Sequence, residues 1–451
     1  ILPRSDTAPR AERTMLLFGT TCSTRGDFLS LDGSSGVVNT KLILADSIVA
    51  CAAPGPGRKL IRTRGWPDQN GAMAKASLDE RSSLYTGWGE NLIHSGTAGK
   101  ISAKTSEQWL QAWGLSSTDS QIRADAWPSE DLGVLAMVSA TAFTSDDVSA
   151  GIQSRLGTPF IGCAAKKLPV PSPLLVERTF GTMAAPSLLA FERILPSYTC
   201  NPQKNTLLSG WRGDQSRRLG QPPGTLKPDD QLDPVLDLPF NANTDGDLGK
   251  FLQDRQDLPD TTVVTLTGSG TREMTPVKLS GKKSLVIWFQ PTGGQPLILK
   301  PTAGSGGAKA LIEVVDGDLL IDGLIFQWQA GGPNRFFKVD RGNLTLSGCR
   351  LLGPLTGNTG FEAISFTGGP QKSKWPGKAA PIAAPGGGQT APIHLDFHPA
   401  PHERVDVCQL IDCYVGAESR CVGFVGSQGV LGIDNSVLVT PGTLASFEEL
   451  D

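Results

Sequence analysis

The sequence predicts an all-β solenoid, a stack of short strands coiled around one narrow core. Residues 310–352 carry the first observation, because ALIEVVDGDLLIDGLIFQWQAGGPNRFFKVDRGNLTLSGCRLL states one pattern twice. Gly317 matches Gly342, Asp318 matches Asn343, Gly323 matches Gly348 and Leu324 matches Cys349, each 25 residues apart. A fixed period of that size marks a coil of repeated supersecondary units. The second observation is that each unit holds two alternating apolar runs, separated by a Gly-Asp or Gly-Asn turn and too short for a helix. The third is composition: 53 glycines and 33 prolines against 39% hydrophobic residues point to a turn-rich β chain.

The two half-patterns recur elsewhere. An alternating strand closed by Gly is found at 361–368, 421–426 and 27–33, and a strand ending in a small polar residue before Cys or Ser at 407–413, 430–436, 42–47 and, less regularly, 15–22. Cys413 to Ser436 is 23 residues and Cys22 to Ser47 is 25. Cys349, Cys413 and Cys22 are therefore expected to line up with Ser47 and Ser436 as a small-residue ladder at one corner. Packing is the better account of these thiols, since buried cysteines behave as small hydrophobes.

This rung pattern, over residues 1–55 and 262–451, resembles that of the right-handed parallel β-helix proteins, the architecture of pectate lyases, polygalacturonases, phage tailspikes and many bacterial surface proteins. The resemblance lies in the rungs and includes no enzyme signature. It implies strands hydrogen-bonded to the rungs above and below, about 4.8 Å away, short capping helices, and a secreted or cell-surface location.

Taken in order, residues 1–55 carry two rungs, the tail of a coil. Residues 56–185 break the period and hold five of the nine tryptophans, Trp66, Trp88, Trp109, Trp113 and Trp127. Thr105 and Gln108 form a capping box before Trp109-Leu-Gln-Ala-Trp113, and Gly114 stops the helix. Its tryptophans at helical spacing fit a cap over an apolar end better than a sugar platform. Residues 186–244 are rich in Pro, Gly, Asn and Asp and read as a linker. Asn241, Asn243, Asp245 and Gly246 resemble the start of a calcium loop, but Leu252 stands where a Glu is needed, so Asp245 or Asp247 is expected to cap a helix instead. From 245 to 451 a capping helix leads into the body of the coil, interrupted by an insertion at 369–404.

The order is thus inverted, with the tail before the start. From Ser436 through Asp451 and on from Ile1 to Cys22 is 37 residues, one rung plus a loop. An uncapped coil end exposes unpaired backbone. The expectation is head-to-tail stacking of copies through Ile1, Met15, Leu17, Cys22, Leu444, Phe447 and Leu450.

The formal charge of −3 and pI near 5.9 give no sign of a nucleic-acid partner. No apolar run is long enough for a membrane span, and eight cysteines without a CxxC suggest no zinc ribbon or thioredoxin-like motif. Arg25-Gly26-Asp27 spells the adhesion tripeptide and Asn343-Leu-Thr345 a glycosylation sequon, both short enough to arise by chance. The one metal candidate is His394, Asp396, His398 and His402 in the insertion, a ligand set suited to zinc, nickel or copper; no other cofactor is expected. Asp316, Asp318, Asp322, Asp340 and Arg341 lie on neighbouring rungs, but at turn positions where Asp and Asn serve local backbone groups. These readings favour a non-enzymatic structural protein that assembles with itself into a fibre. The alternative is a carbohydrate-binding or polysaccharide-degrading coil.

Overall fold

The computed structural model describes residues 12–123 and 236–448, apart from 370–405 and several gaps of one to six residues. The described residues are mostly strand with little helix, the strands are mostly parallel, and the sheets curl around one core, an arrangement that fits a β-solenoid.

Three parallel ladders form the walls. The first runs Leu236–Asn241, Thr261–Thr267, Ser284–Phe289, the second halves of Ile312–Asp322 and Arg335–Ser347, Val407–Ile411, Gly429–Asp434, Glu12–Phe18, Asn39–Ala45 and Ala76–Arg81. The second runs from Gly270–Met274 through Leu297–Pro301, Ile325–Gln327, Arg350–Leu352, Tyr414–Gly416, Val437–Thr440, Thr21–Thr24, Ile48–Cys51 and Leu84–Thr86 to Gln121–Arg123. The third takes Val277–Ser280, the first halves of the two long strands, Glu362–Gly368, Arg420–Gly426, Thr443–Glu448, Leu29–Asp32, Ile61–Arg64 and Ile93–Gly96. Each rung visits the ladders in that order, and the two copies of the 25-residue pattern stack residue on residue, Gly317 on Gly342 and Asp318 on Asn343.

Alternation explains the core. In the first ladder Ile321, Leu346, Leu410, Ile433, Leu17 and Leu44 stack in one row, each essentially without solvent contact. Burying each such side chain contributes about 1.5–3 kcal/mol before entropy is counted. The outward side chains Val263, Val286, Leu320 and Ile411 are buried as well and form a second, smaller cluster, so Ser284-Leu-Val-Ile-Trp-Phe reads as a continuous apolar run rather than an alternating one.

Corners are made by polar residues. Asp316 and Arg341 take left-handed backbone, φ 55° and 59°, and bend the two long strands from the third ladder into the first. Asp318 Oδ1 accepts from Asn343 Nδ2 at 2.7 Å, and Asn343 Oδ1 from Val407 N at 2.9 Å. Between the first and second ladders the predicted small-residue column exists, with one correction. It runs Cys349, Cys413, Ser436, Thr20, Ser47, Ser83, Ser120, and Thr20 takes the place expected for Cys22. Cys413 N donates to Ser436 Oγ at 3.0 Å, Thr20 N to Ser47 Oγ at 3.3 Å, Ser47 N to Ser83 Oγ at 3.4 Å and Ser83 N to Ser120 Oγ at 3.2 Å. Cys22 lies two residues past the corner, paired with Leu438 and Val49 in the second ladder.

Both ends of the stack carry helices. Helix α1, Ser106–Trp113, has Thr105 as N-cap and Gly114 in left-handed backbone as C-cap. Gln108 N donates to Thr105 Oγ1 at 3.3 Å, and Gln108 Oε1 accepts from Lys104 N, one residue before the cap, so the expected capping box forms with its return bond shifted by one residue. It packs beside Ala76–Arg81 and Ser102–Ala103, and that last short strand runs antiparallel to Ile93–Gly96 and ends the third ladder. Trp109 meets Trp113 edge to face and Tyr85 at a tilt, and Glu80 accepts from Tyr85 Oη at 2.7 Å and Trp109 Nε1 at 3.4 Å. Helix α2, Leu248–Gln253, lies over the first strands of the second and third ladders. Its cap Asp247 accepts from Gly249 N, Lys250 N and Thr275 N. The period does not stop at residue 55: Ala76–Arg81, Leu84–Thr86 and Ile93–Gly96 add a further rung. The corner repeat is there stretched from 25 residues to 36, Ser47 to Ser83, with the Asp68–Gln69 and Ala72–Met73 hairpin falling in the extra length.

Candidate functional site

The residues expected at an assembly surface do meet, and they meet within one chain. Gly429–Asp434 pairs with Glu12–Phe18, Val437–Thr440 with Thr21–Thr24, and Thr443–Glu448 with Leu29–Asp32, so the rung at 429–448 is continued on all three walls by the rung at 12–32. Met15 sits between Leu431 and Leu42, Leu17 between Ile433 and Leu44, Cys22 between Leu438 and Val49, and Phe447 between Phe424 and Leu31. These four and Leu444 have no solvent contact. Ile1 and Leu450 lie outside the described residues.

Backbone bonds complete the joint. Thr21 N donates to Ser436 O at 2.9 Å, Arg25 N to Thr440 O at 3.0 Å, Leu444 N to Asp27 O at 2.9 Å and Ala445 N to Phe28 O at 3.0 Å. Thr24 Oγ1 donates to Gly442 O at 2.6 Å and accepts from Gly26 N at 3.0 Å. Gly26 and Gly442 are required by close approach, because a Cβ on Gly26 would overlap Gly442 O and one on Gly442 would overlap Ser419 O. The Arg25-Gly26-Asp27 triplet is therefore part of the joint: Asp27 is nearly buried and ion-paired to Arg62.

The outer face of the third ladder is polar and forms a charge network that the sequence reading missed. Glu362, 5% exposed, receives Arg335 Nε at 2.7 Å and Arg420 Nε at 3.1 Å. Arg420 also reaches Glu448 and Ser446 on the next rung. Gly423 makes room, since a Cβ there would overlap the Glu362 carboxylate. Lys338 Nζ and Glu313 Oε1 form a neighbouring pair at 3.4 Å. These residues are 25 to 28 apart in sequence where no insertion intervenes, the rung period itself, so reading the outward positions of the repeat as well as the inward ones would have found part of the network. Each carboxylate here already has a cation. The turn residues Asp316 and Arg341 are likewise paired, at 3.1 Å.

His394, Asp396, His398 and His402 lie outside the described residues; among the described residues no group of three or more His, Cys, Asp or Glu could hold a metal. Trp66, Trp88, Trp109 and Trp113 are buried, so they present no aromatic platform. Cys22, Cys51, Cys349, Cys408, Cys413 and Cys421 are buried free thiols. Burial pushes Cys22, Cys349, Cys408 and Cys421 well above the ordinary thiol range, which removes the thiolate that reactivity needs. No described helix is long and apolar enough to cross a membrane.

A scan against models of known protein families finds no match, and searches of curated proteins and of solved structures find none either.

Proposed function

We propose that the chain is a structural protein of the right-handed parallel β-helix type, secreted or displayed on a cell surface, that joins head to tail into a fibre or appendage. The joint between 429–448 and 12–32 carries this reading. It unites two stretches remote in sequence through backbone pairing on three walls and a continuous apolar core, with no covalent link across it. The same faces, met between copies, form the head-to-tail contact without any new surface. The saturated ion pairs of the outer face also fit a scaffold better than a catalyst, since a general acid or base must have a proton to exchange with substrate.

Electron microscopy of purified native material, with its denatured mass, tests the proposal. Filaments whose denatured chain is 47.6 kDa are expected. Monodisperse particles of one chain at every concentration would overturn it.

A second reading rests on a different observation. Along the third ladder Ser365, Gly423, Ser446 and Ser30 make a row of small outward residues over which Arg420, Glu362 and Glu448 lie, a polar strip whose charges suit an acidic carbohydrate chain. A thermal shift with acidic polysaccharides, lost in Arg420→Ala, would favour it; silence across a broad glycan panel would remove it.

A further inference from the structure

We infer that Arg350 marks a binding site for a small carboxylate on the outer face of the second ladder. The site lies two strands from the joint and stands whichever of the two readings above holds.

The alternation of the ladder aims the side chain. Leu351 and Val415 point into the core, so Arg350 and Tyr414, one residue before each and paired in adjacent strands, point outward. Ile325 pairs with Arg350 on its other side, and Val437 follows Tyr414. This outward row is nonetheless shielded: Ile325 and Val437 are 3% exposed, Arg350 and Tyr414 2%. The Arg350 guanidinium carbon lies 5.9 Å from the centre of the Tyr414 ring. Gly416 leaves room for that ring, since a Cβ there would stand 3.3 Å from Tyr414 Cε1.

Arg350 is thus a nearly buried cation, and it lacks an anion. Its Nε is buried and makes no hydrogen bond, and among the described residues no carboxylate pairs with the guanidinium. Arg62, Arg335, Arg341 and Arg420 each have a carboxylate, although their side chains are between 25% and 51% exposed. Water screens those four, whereas Arg350 has neither water nor an acidic partner. Burial lowers its pKa to about 10, so it still carries its charge at neutral pH. A buried charge is costly unless it is paired. The Tyr414 ring, at the outer limit of cation–π reach, offsets only a small part of that cost.

The surroundings select the anion. The guanidinium fork presents paired N–H donors that match the two oxygens of a carboxylate. One positive charge in an apolar row balances one negative charge, which a carboxylate supplies and a doubly charged phosphate exceeds. Ile325, Tyr414 and Val437 offer contact to an apolar body. The ligand class is therefore a small monocarboxylate with an apolar or aromatic body.

Thermal unfolding of the full-length protein gives the test, with sodium benzoate as the probe and sodium chloride at equal ionic strength as the reference. The wild-type Tm is expected to rise by about 2–4 °C once benzoate exceeds its dissociation constant about tenfold. Arg350→Met keeps a long side chain and removes the charge. In chloride it is expected to melt above wild type, because an unpaired buried charge is gone, and benzoate should not shift it. Equal benzoate shifts in the two proteins would be a general salt effect and would overturn the site. An Arg350→Met protein that melts below wild type in chloride would show the charge to be satisfied within the chain, and would overturn it as well. Equilibrium dialysis of the wild type against labelled benzoate decides even if the variant fails to fold. One benzoate bound per chain, displaced by hexanoate and not by phosphate, is expected; no binding, or displacement by phosphate as readily as by hexanoate, would overturn the proposal.

Discussion

At the scale of single residues, the corner column shows how much one hydroxyl does. Ser436 Oγ accepts the Cys413 amide and donates to Asp434 O at 2.7 Å, and Ser47 repeats the arrangement with Thr20 N and Ala45 O. Removing the acceptor strands a buried N–H, which costs about 1–3 kcal/mol. Ser436→Ala and Ser47→Ala are each expected to lower the free energy of unfolding by that much, read as a lower denaturant midpoint, and an unchanged midpoint would show that the column is ornamental. The thiols make a complementary prediction. Because burial raises the pKa of Cys22, Cys349, Cys408 and Cys421, no thiolate is present there near neutral pH, so these four should resist iodoacetamide in the folded protein and react after denaturation, as read by peptide mass. Glu418 runs the other way. Burial pushes its carboxyl up, but hydrogen bonds from the Thr359 side chain and backbone, and from the Phe361 and Gly360 amides, more than offset this and hold it below the usual range. A lowered folded value means the contribution is full above the ordinary carboxylate pKa, about 4.3, and is lost as pH falls through the folded one. Glu418→Gln should flatten that part of the stability–pH curve.

At the scale of elements, the caps and the joint carry different loads. Thr105→Ala removes one cap bond from α1 and is expected to cost about 0.5–2 kcal/mol; a loss of Trp fluorescence shift at lower denaturant than the global transition would place the damage at that end. The joint should be far less tolerant. Leu17→Ala leaves a void between Ile433 and Leu44, for which about 2–5 kcal/mol is typical, and Gly442→Ala drives a Cβ into Ser419 O. Hydrogen exchange should show both variants loosening 12–32 and 429–448 together, while a variant at the opposite end leaves them protected. Element boundaries were legible where local chemistry dictates them. Thr105, Gln108 and Gly114 name their helix because capping is settled within one turn, and Asp247 names α2 for the same reason. The rung at 76–96 was hidden because its corner repeat is stretched by an intervening hairpin, so no fixed period points to it.

At the scale of the whole molecule, order along the chain and order along the coil differ. Among the described residues the coil runs from 236 to 448 and continues from 12 to 123. This layout predicts that a chain nicked between 124 and 235 still migrates as one particle in native conditions and separates into two pieces only on denaturation. The joint's backbone pairing and buried core provide the cohesion, and separation of the pieces under native conditions would show that cohesion to be too weak for the fibre proposed above.

The sequence by itself determined the repeat, the alternation of inward apolar residues, the helix caps and, to within two residues, the phase match between Ser436 and the segment at 15–22, because each follows from spacing along one strand or one turn. Cys22 was placed two residues off, since its segment is the least regular copy and only pairing with Val437–Thr440 sets its register. The arginine–glutamate network on the third ladder and the closure of 12–32 onto 429–448 within one chain were decided by tertiary structure. Both depend on which rungs become neighbours in space, and that is a property of the stacked coil, invisible to any window along the chain.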